Sequence, residues 1–326
     1  SQGIALKHDI TVIPTTFTLL ATQEKSSPLE VQIQPGKMTL HGKLDANKQY
    51  QGQFAIQDAA VLLPQSHVQL QDISAHLHLG ATAAESTAEF AIGQLQHLVP
   101  EPLFKPFSFS GDLKPQSMEG KPTAYILNGV GGMPGLSYIK LTGRHTPDSG
   151  NGMLKLAMTP LNFAPHKLQP EALSSALASL EEVTGVVSAS AQIKWSKQGI
   201  RSSGAVVEVK NLSLTHETGK ISDLNVALNL NNLLPLSSLP QQTIKIRSID
   251  AGIPLENLLV SYQIASADLP RIILEKAQFS VMDGLVSLTP AVIDPSAARS
   301  NLLVHVDNID LAAFFELIQV EGLTGT

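Results

Sequence analysis

The sequence contains no cysteine, few aromatic residues and few charged ones. Its 326 residues include one Trp and four Tyr, and 15% are charged, against about 25% in an average soluble domain. The absence of cysteine excludes disulfide scaffolds, thiolate zinc sites and thiol catalysis. The net charge is −6 and Lys and Arg form no cluster, so the sequence lacks the basic stripe that is typical of nucleic-acid binding.

Long hydrophobic runs are also absent. No apolar run reaches the roughly 18 residues that a membrane-spanning helix needs, and residues 1–3 have neither a basic nor an apolar signal region. Even so, 43% of the residues are hydrophobic and the mean hydropathy is +0.09, which excludes intrinsic disorder. We expect the chain to be a segment excised from a longer protein.

The hydrophobic residues alternate with polar ones along most of the chain. From Val187 to Trp195 every second residue is apolar, and the intervening residues are Ser, Gln and Lys. This period of two is typical of half-buried antiparallel strands. Turn signals such as Gln198-Gly199 and Asp283-Gly284 separate the runs and no long helix intervenes, which favours a meander over parallel βαβ units.

Two segments show helical spacing instead. Residues 171–182, which follow Pro170, and residues 311–320, which follow Asp310, carry apolar residues at i, i+3, i+4 and i+7. A Val-Thr-Gly or Leu-Thr-Gly tail follows each, which suggests a repeat of about 140 residues. The sequence therefore predicts two short amphipathic helices.

Prolines and glycines divide the chain. Pro160, Pro165 and Pro170 precede the first predicted helix, so we place the boundary between two parts there, at 1–165 and 166–326. Residues 129–152 contain seven glycines, which predicts a loop-rich stretch, the tip of a long hairpin or a bulged strand.

Motifs for catalysis, cofactors and metals are missing. The glycines at 129–132 lack the Lys-Ser/Thr of a phosphate loop, and no Gly-x-Ser-x-Gly occurs. His76 and His78 share one strand face and could supply two metal ligands, but no third ligand has suitable spacing. We therefore expect no enzyme activity, no cofactor and no metal site.

The aliphatic rows must be buried against something, and two interpretations follow from the pattern alone. The rows could face one another in the closed core of a β-sandwich. Alternatively, they could line an uncovered groove for acyl chains, because each methylene removed from water contributes about 0.8 kcal/mol.

Four segments of the C-terminal half carry a resemblance to a known family. They are VTG at 183–185, which continues into the strand ending at Trp195, GLVSLTP at 284–290, VDNIDLAAFF at 306–315 and GLTG at 322–325. In their order and spacing they resemble the YdbH-like family of AsmA-like proteins of the Gram-negative envelope. The resemblance covers about residues 165–326, whereas residues 1–160 match only as generic AsmA-like β sequence.

The resemblance implies a function and a location. The family is similar to bridge-like lipid-transfer proteins, in which an inner-membrane anchor precedes a long β structure of U-shaped section that crosses the periplasm. It implies phospholipid as the cargo, shielded in an apolar groove without covalent chemistry. It also implies an outer-membrane lipoprotein as partner, adding strands to an open sheet edge.

Together these observations predict a mainly β fold, an elongated and curved antiparallel sheet forming a U-shaped groove (a β-taco), with the two helices covering it. A structural or adhesive β-sandwich array of the envelope is the alternative. A dicarboxylate-binding transport protein is a further one, although its arginines would have to converge from scattered positions. The candidate groove residues are Ile193, Trp195, Val207, Val209, Leu224, Val226, Leu228, Leu230, Ile244, Ile246, Val260, Tyr262, Ile264, Phe279, Val281, Val286, Leu288, Leu302, Val304 and Val306.

Overall fold

A computed structural model describes most of the chain as antiparallel β-strands. The described residues are 6–13, 15–21, 29–45, 49–118, 121–133, 136, 139–233, 235–265, 271–294, 297 and 301–308. The predicted fold class, mainly β with an open antiparallel sheet, is confirmed. The curvature of the sheet into a groove stays a prediction.

The strands are numbered in chain order. The first eleven are β1 (Leu6–Val12), β2 (Phe17–Ala21), β3 (Leu29–Gln34), β4 (Lys37–Leu44), β5 (Tyr50–Leu63), β6 (Val68–Leu79), β7 (Thr87–His97), β8 (Phe107–Met118), β9 (Lys121–Gly132), β10 (Ile139–Thr146) and β11 (Asn151–Met158). The others are β12 (Leu161–Phe163), β13 (Glu181–Ser196), β14 (Gly199–His216), β15 (Gly219–Leu233), β16 (Leu236–Ser238), β17 (Gln242–Asp250), β18 (Pro254–Ala265), β19 (Arg271–Val281), β20 (Gly284–Leu288), β21 (Ala291–Ile293) and β22 (Val304–Asp307).

The chain divides into two compact units. The N-terminal unit comprises residues 1–159, 172–177 and 193–201, and the C-terminal unit comprises residues 160–171, 178–192 and 202–326. The division at 1–165 and 166–326 that the prolines suggest stays a prediction.

In the N-terminal unit the described strands form an antiparallel ladder in the order β1, β4, β5, β6, β7, β8, β9, β10, β11. The pair β2 and β3 joins the second half of β5 through β3. Most neighbours in this order are also neighbours in sequence, as the alternation and the short turns predict.

In the C-terminal unit the described ladder runs β14, β15, β17, β18, β19, β20, β22. Short strands extend it: β16 pairs with β15, and β21 pairs with β19. The strand β12 pairs with β13 through Leu161 and Phe163, both of which are buried.

Bulges interrupt several of these ladders. The registers shift where β5 meets β6 and where β14 meets β15. Asp58, Asp72, Asn211 and Asp223 lie at these shifts with φ between 49° and 58°. Asp and Asn tolerate the left-handed region better than other side chains, so each bulge has a suitable residue at its strained position.

The predicted helix at 171–182 is wrong. The segment contains two short 3₁₀ turns, Pro170–Ala172 and Ser175–Leu177, and β13 already begins at Glu181. The Ser174 hydroxyl donates to the Pro102 carbonyl at 2.8 Å, and the Lys105 N–H donates to the Leu173 carbonyl at 2.7 Å. These bonds to residues 102–105 hold the segment in a non-helical path. The second predicted helix, 311–320, lies outside the described residues.

The glycine-rich stretch at 129–152 is mostly strand. It includes the end of β9, all of β10 and the start of β11, which pair along their lengths. The glycines at 129–132 therefore belong to a strand and not to a loop. The prediction of a loop-rich stretch is therefore wrong for most of its described residues, which pair as neighbouring antiparallel strands.

Candidate functional site

One face of the C-terminal unit carries an uninterrupted row of apolar residues. Residues that pair directly across antiparallel strands point to the same side of a sheet. The register therefore places one apolar residue from each of seven described strands in a single row, called here the central aliphatic row. It consists of Val209, Val226, Ile244, Val260, Ala277, Leu288 and Val304.

The other face of the same strands is polar. Shifting each position by one residue gives the row Asn225, Lys245, Leu259, Gln278, Ser287 and His305. A parallel row contains Glu208, Ala227, Thr243, Ser261 and Lys276. The sheet of this unit is therefore amphipathic, with one aliphatic and one hydrophilic face.

The structure brings most of the candidate groove residues together on the aliphatic face. Besides six members of the central aliphatic row, the face carries Val207, Leu224, Leu228, Leu230, Ile246, Tyr262, Ile264, Phe279, Val281, Val286 and Val306. Ile193 and Trp195 lie on β13 in residues that belong to the N-terminal unit. Leu302 precedes β22 and lies outside the strands. Contact of these residues with lipid stays a prediction.

Burial varies across the aliphatic face. Ile246, Leu274, Ala277 and Val286 are buried, whereas most of the face is half-buried. Val304 and Val306 on β22 are 49% and 55% exposed. Apolar surface therefore remains accessible on this face, most of all at its β22 end.

Among the described residues, the aliphatic face also includes polar side chains such as Gln242 and Tyr262. Gln242 is buried and opposite Tyr262, and its amide accepts from the Asn229 N–H and donates to the Leu239 carbonyl at 2.9 Å. Its polar atoms are thus satisfied by the backbone. Desolvation by burial raises the pKa of the Tyr262 hydroxyl above its ordinary value of 10.0.

The N-terminal unit has the same division into two faces. One apolar row, called row A, contains Ile10, Leu40, Phe54, Leu77, Ala88, Leu113, Leu127, Gly143 and Leu154. A second row on the same face, called row B, lies two residues away from row A on every strand. It contains Val12, Met38, Ile56, Ala75, Phe90, Gly111, Gly129, Leu141 and Leu156. The opposite face carries Thr11, Thr39, Ala55, His76, Glu89, Asp112, Asn128, Thr142 and Lys155.

Sequence reasoning found the alternation in these N-terminal strands but not the common face. A single strand shows which residues share a side, but only the pairing shows which sides of neighbouring strands coincide. The bulges at Asp58 and Asp72 make this alignment impossible to extrapolate from spacing alone.

The chemistry-bearing residues that the sequence singles out have ordinary surroundings. His76 and His78 lie on the polar face, opposite Glu89 and Thr87. Across the described residues, no group of three His, Cys, Asp or Glu could hold a metal ion. The buried Ser203, which no sequence motif marks, has ordinary partners as well. Its hydroxyl donates to Asn232 Oδ1 at 2.8 Å and accepts from the Leu233 N–H, so it joins two strands. In the described ranges, the structure has no helix with the length and hydropathy that a membrane crossing requires.

These features define a class of protein: an open antiparallel sheet with an aliphatic face and a polar face in each unit. A family model described as YdbH-like, intermembrane phospholipid transport protein YdbH, matches residues 1–326, the whole chain. The chain therefore belongs to the YdbH-like family, which is a family of lipid transport. No curated protein and no solved structure gives a significant match. Family membership indicates phospholipid transport between membranes and a location in the cell envelope.

Proposed function

We propose that this chain carries phospholipid through the periplasm by non-covalent shielding of the acyl chains. The acyl chains would lie on the aliphatic faces of the two units, while the head groups stay in water. The central aliphatic row supports this proposal best, because seven apolar residues follow one another across neighbouring strands without a polar interruption. Such a row offers an acyl chain the same apolar environment at every strand. A lipid can therefore move along the row without meeting a site that binds it much more tightly than the others.

The energetics suit a transient carrier. Each methylene removed from water contributes about 0.8 kcal/mol, so ten methylenes in contact contribute on the order of 8 kcal/mol. Association and ordering of the lipid then cost several kcal/mol. The remainder would hold a lipid in the protein and still permit its release to a membrane. No residue needs special chemistry in this mechanism, and we propose that the chain is not an enzyme.

The test is lipid extraction from the purified chain and mass spectrometry, on the unmodified protein and on two variants. Ile244→Glu places a charge in the central aliphatic row, whereas Thr243→Glu places the same charge one residue away on the polar face. We expect phospholipid with the unmodified protein and with Thr243→Glu, and a loss of at least about fivefold with Ile244→Glu. Circular dichroism checks that both variants keep their strands.

The same experiment separates the alternative. In a structural β-sandwich array the aliphatic faces would pack against protein. In that case no phospholipid would be recovered from the unmodified chain, and the carrier proposal would fail. Calorimetry with succinate or malate tests dicarboxylate binding separately.

We further propose that the protein is attached at both membranes. An inner-membrane anchor would belong to a longer form of the protein, and an outer-membrane lipoprotein would add a strand to an open edge. Among the described residues β22 pairs with β20 only, and its side chains are exposed, which supports an edge that can accept a strand. A photo-crosslinker in place of His305 should capture a lipoprotein in cells, whereas one in place of Gln278 in the ladder interior should not.

A further inference from the structure

Among the described residues of the N-terminal unit, aromatic residues with a polar tip are concentrated at one margin of the apolar face. The whole sequence has only four Tyr and one Trp. Tyr125 lies two residues beyond row A on β9 and pairs with His145, which in turn pairs with Gly152. The ring of Trp195 lies over Gly152, and the ring of Tyr50 lies over Gly42 and Gly52, which occupy the corresponding positions on β4 and β5. We call this side the amphipathic margin.

Each end of the amphipathic margin has a histidine stacked on an aromatic ring. His8 and Tyr50 have ring centroids 5.4 Å apart, and His8 Nε2 lies 2.9 Å from the Tyr50 hydroxyl. His145 and Trp195 have centroids 6.1 Å apart, and Trp195 Nε1–H donates to His145 Nδ1 at 3.3 Å. The Tyr125 hydroxyl has no hydrogen-bond partner among the described residues. The side chains of these three aromatic residues and two histidines are all half-buried.

The opposite margin of the same face is built from phenylalanine. Two residues beyond row B, Phe109 pairs with Gly131 and its ring covers that glycine. Phe107 contacts both Phe109 and Phe104 edge to face, with centroids 5.2 Å apart in each case. His97 stacks on Phe104, but its Nδ1 already accepts the Leu103 N–H. We call this side the phenylalanine margin.

The face between the two margins is wide enough for one acyl layer. From Tyr125 at the amphipathic margin to Gly131 in the row of Phe109 is six residues along β9, or about 20 Å. Half of a bilayer's hydrocarbon core is about 15 Å thick. In membranes, Tyr and Trp are enriched at the interface, where the ring is in an apolar layer and the polar tip is wet. Phenylalanine has no polar tip to place there.

From this asymmetry we infer that phospholipid is oriented in the N-terminal unit. Its glycerol and head group lie at the amphipathic margin, beside Tyr50, Tyr125 and Trp195, and its acyl chains extend along the strands toward the phenylalanine margin. The free Tyr125 hydroxyl donates to an ester or phosphate oxygen. This inference rests on the proposed function, and it adds the direction in which the lipid lies.

Trp195 provides a direct test, because it is the only tryptophan of the chain. The protein is loaded with phosphatidylethanolamine that carries a nitroxide quencher on the head group, near the carboxyl end of an acyl chain, or near its methyl end. We expect the head-group and carboxyl-end labels to quench Trp195 fluorescence at least about twofold more than the methyl-end label. Equal loading is verified by mass spectrometry of the extracted lipid.

A matched variant places the only tryptophan on the other side of the face. In the double variant Trp195→Phe and Phe90→Trp, the tryptophan is in row B, nearer the phenylalanine margin, and the methyl-end label should quench it more strongly. Equal quenching by all labels, or the same order in both proteins, would overturn the orientation while leaving lipid carriage intact. If no labelled lipid binds at all, the orientation and the proposed function both fail.

Discussion

Several glycines of the N-terminal unit lie beneath aromatic rings from a neighbouring strand. A Cβ added to Gly131 would lie 2.1 Å from Phe109 Cδ1, and one added to Gly152 would lie 2.1 Å from Trp195 Cε2. Contacts under 3.0 Å do not occur for real Cβ atoms. The glycines therefore let large rings lie flat on the sheet, so that each ring covers backbone that would otherwise face water.

Gly131→Ala should therefore destabilise the protein by about 1–3 kcal/mol, because Phe109 is held by its edge-to-face contact with Phe107 and cannot move freely. Thermal or urea unfolding measures the change. Phe109→Leu serves as the second mutation of a double-mutant cycle, since it removes the ring that the new methyl group would strike. The double variant should lose at least about 1 kcal/mol less than the sum of the single variants. Additive losses would show that the close contact does not cause the destabilisation.

At the scale of the element, a glutamine side chain acts as the partner of a strand. The Val183 N–H donates to Gln169 Oε1 at 2.9 Å, and Gln169 Nε2 donates to the Val183 carbonyl at 2.9 Å. The amide thus makes the pair of bonds that a neighbouring strand would make. Val183 is 1% exposed, so its backbone has little access to water as a substitute partner.

Gln169→Leu should cost about 1–3 kcal/mol, because it leaves the backbone groups of Val183 buried without partners. The matched control is Gln198→Leu, since Gln198 is exposed and bonds only to the neighbouring Ser196; its change should stay within about 0.5 kcal/mol. Hydrogen exchange at the Val183 amide provides a local measurement, and the Gln169 variant should exchange faster. Unchanged exchange at Val183 would contradict the pairing.

The segment before Val183 also shows where sequence reasoning succeeds and where it fails. Alternation identified most strands, because a half-buried strand needs an apolar residue at every second position whatever its neighbours are. The apolar spacing of 171–182 predicted a helix, but the side chain of Ser174 and the carbonyl of Leu173 bind residues distant in sequence. Tertiary hydrogen bonds of this kind override a local pattern and leave no periodic signal.

The candidate site was predictable to a similar extent. The apolar residues of β15, β17, β18 and β20 are recognisable one strand at a time, and the structure places them on one face. The amphipathic margin was not predictable, since Tyr50, Tyr125 and Trp195 are far apart in sequence and meet the same margin only through the register of the ladder. Long-range register is set by bulges and turns, which spacing does not reveal.

At the scale of the whole molecule, little of the hydrophobic content is fully buried. Across the described ranges only nine residues of the hydrophobic types (Ala, Val, Ile, Leu, Met, Phe, Trp, Tyr) are buried, although 43% of the sequence is hydrophobic. Much of the apolar surface is therefore half-buried on the aliphatic faces. When an apolar ligand covers this surface, apolar area is removed from water, and the free energy of unfolding increases.

Bound phospholipid should therefore stabilise the protein. A ligand that binds only the folded state adds about 2.7 kcal/mol when its free concentration is one hundred times its Kd, which for a protein of this size corresponds to a rise of about 4 °C in Tm. The measurement is calorimetry on protein stripped of lipid and on the same protein after reloading with phosphatidylethanolamine. Ile244→Glu, which loads less lipid, should show a smaller rise than Thr243→Glu. A Tm that does not change while mass spectrometry shows bound lipid would mean that the lipid covers no surface exposed in the folded chain, and that the aliphatic faces are already closed by protein.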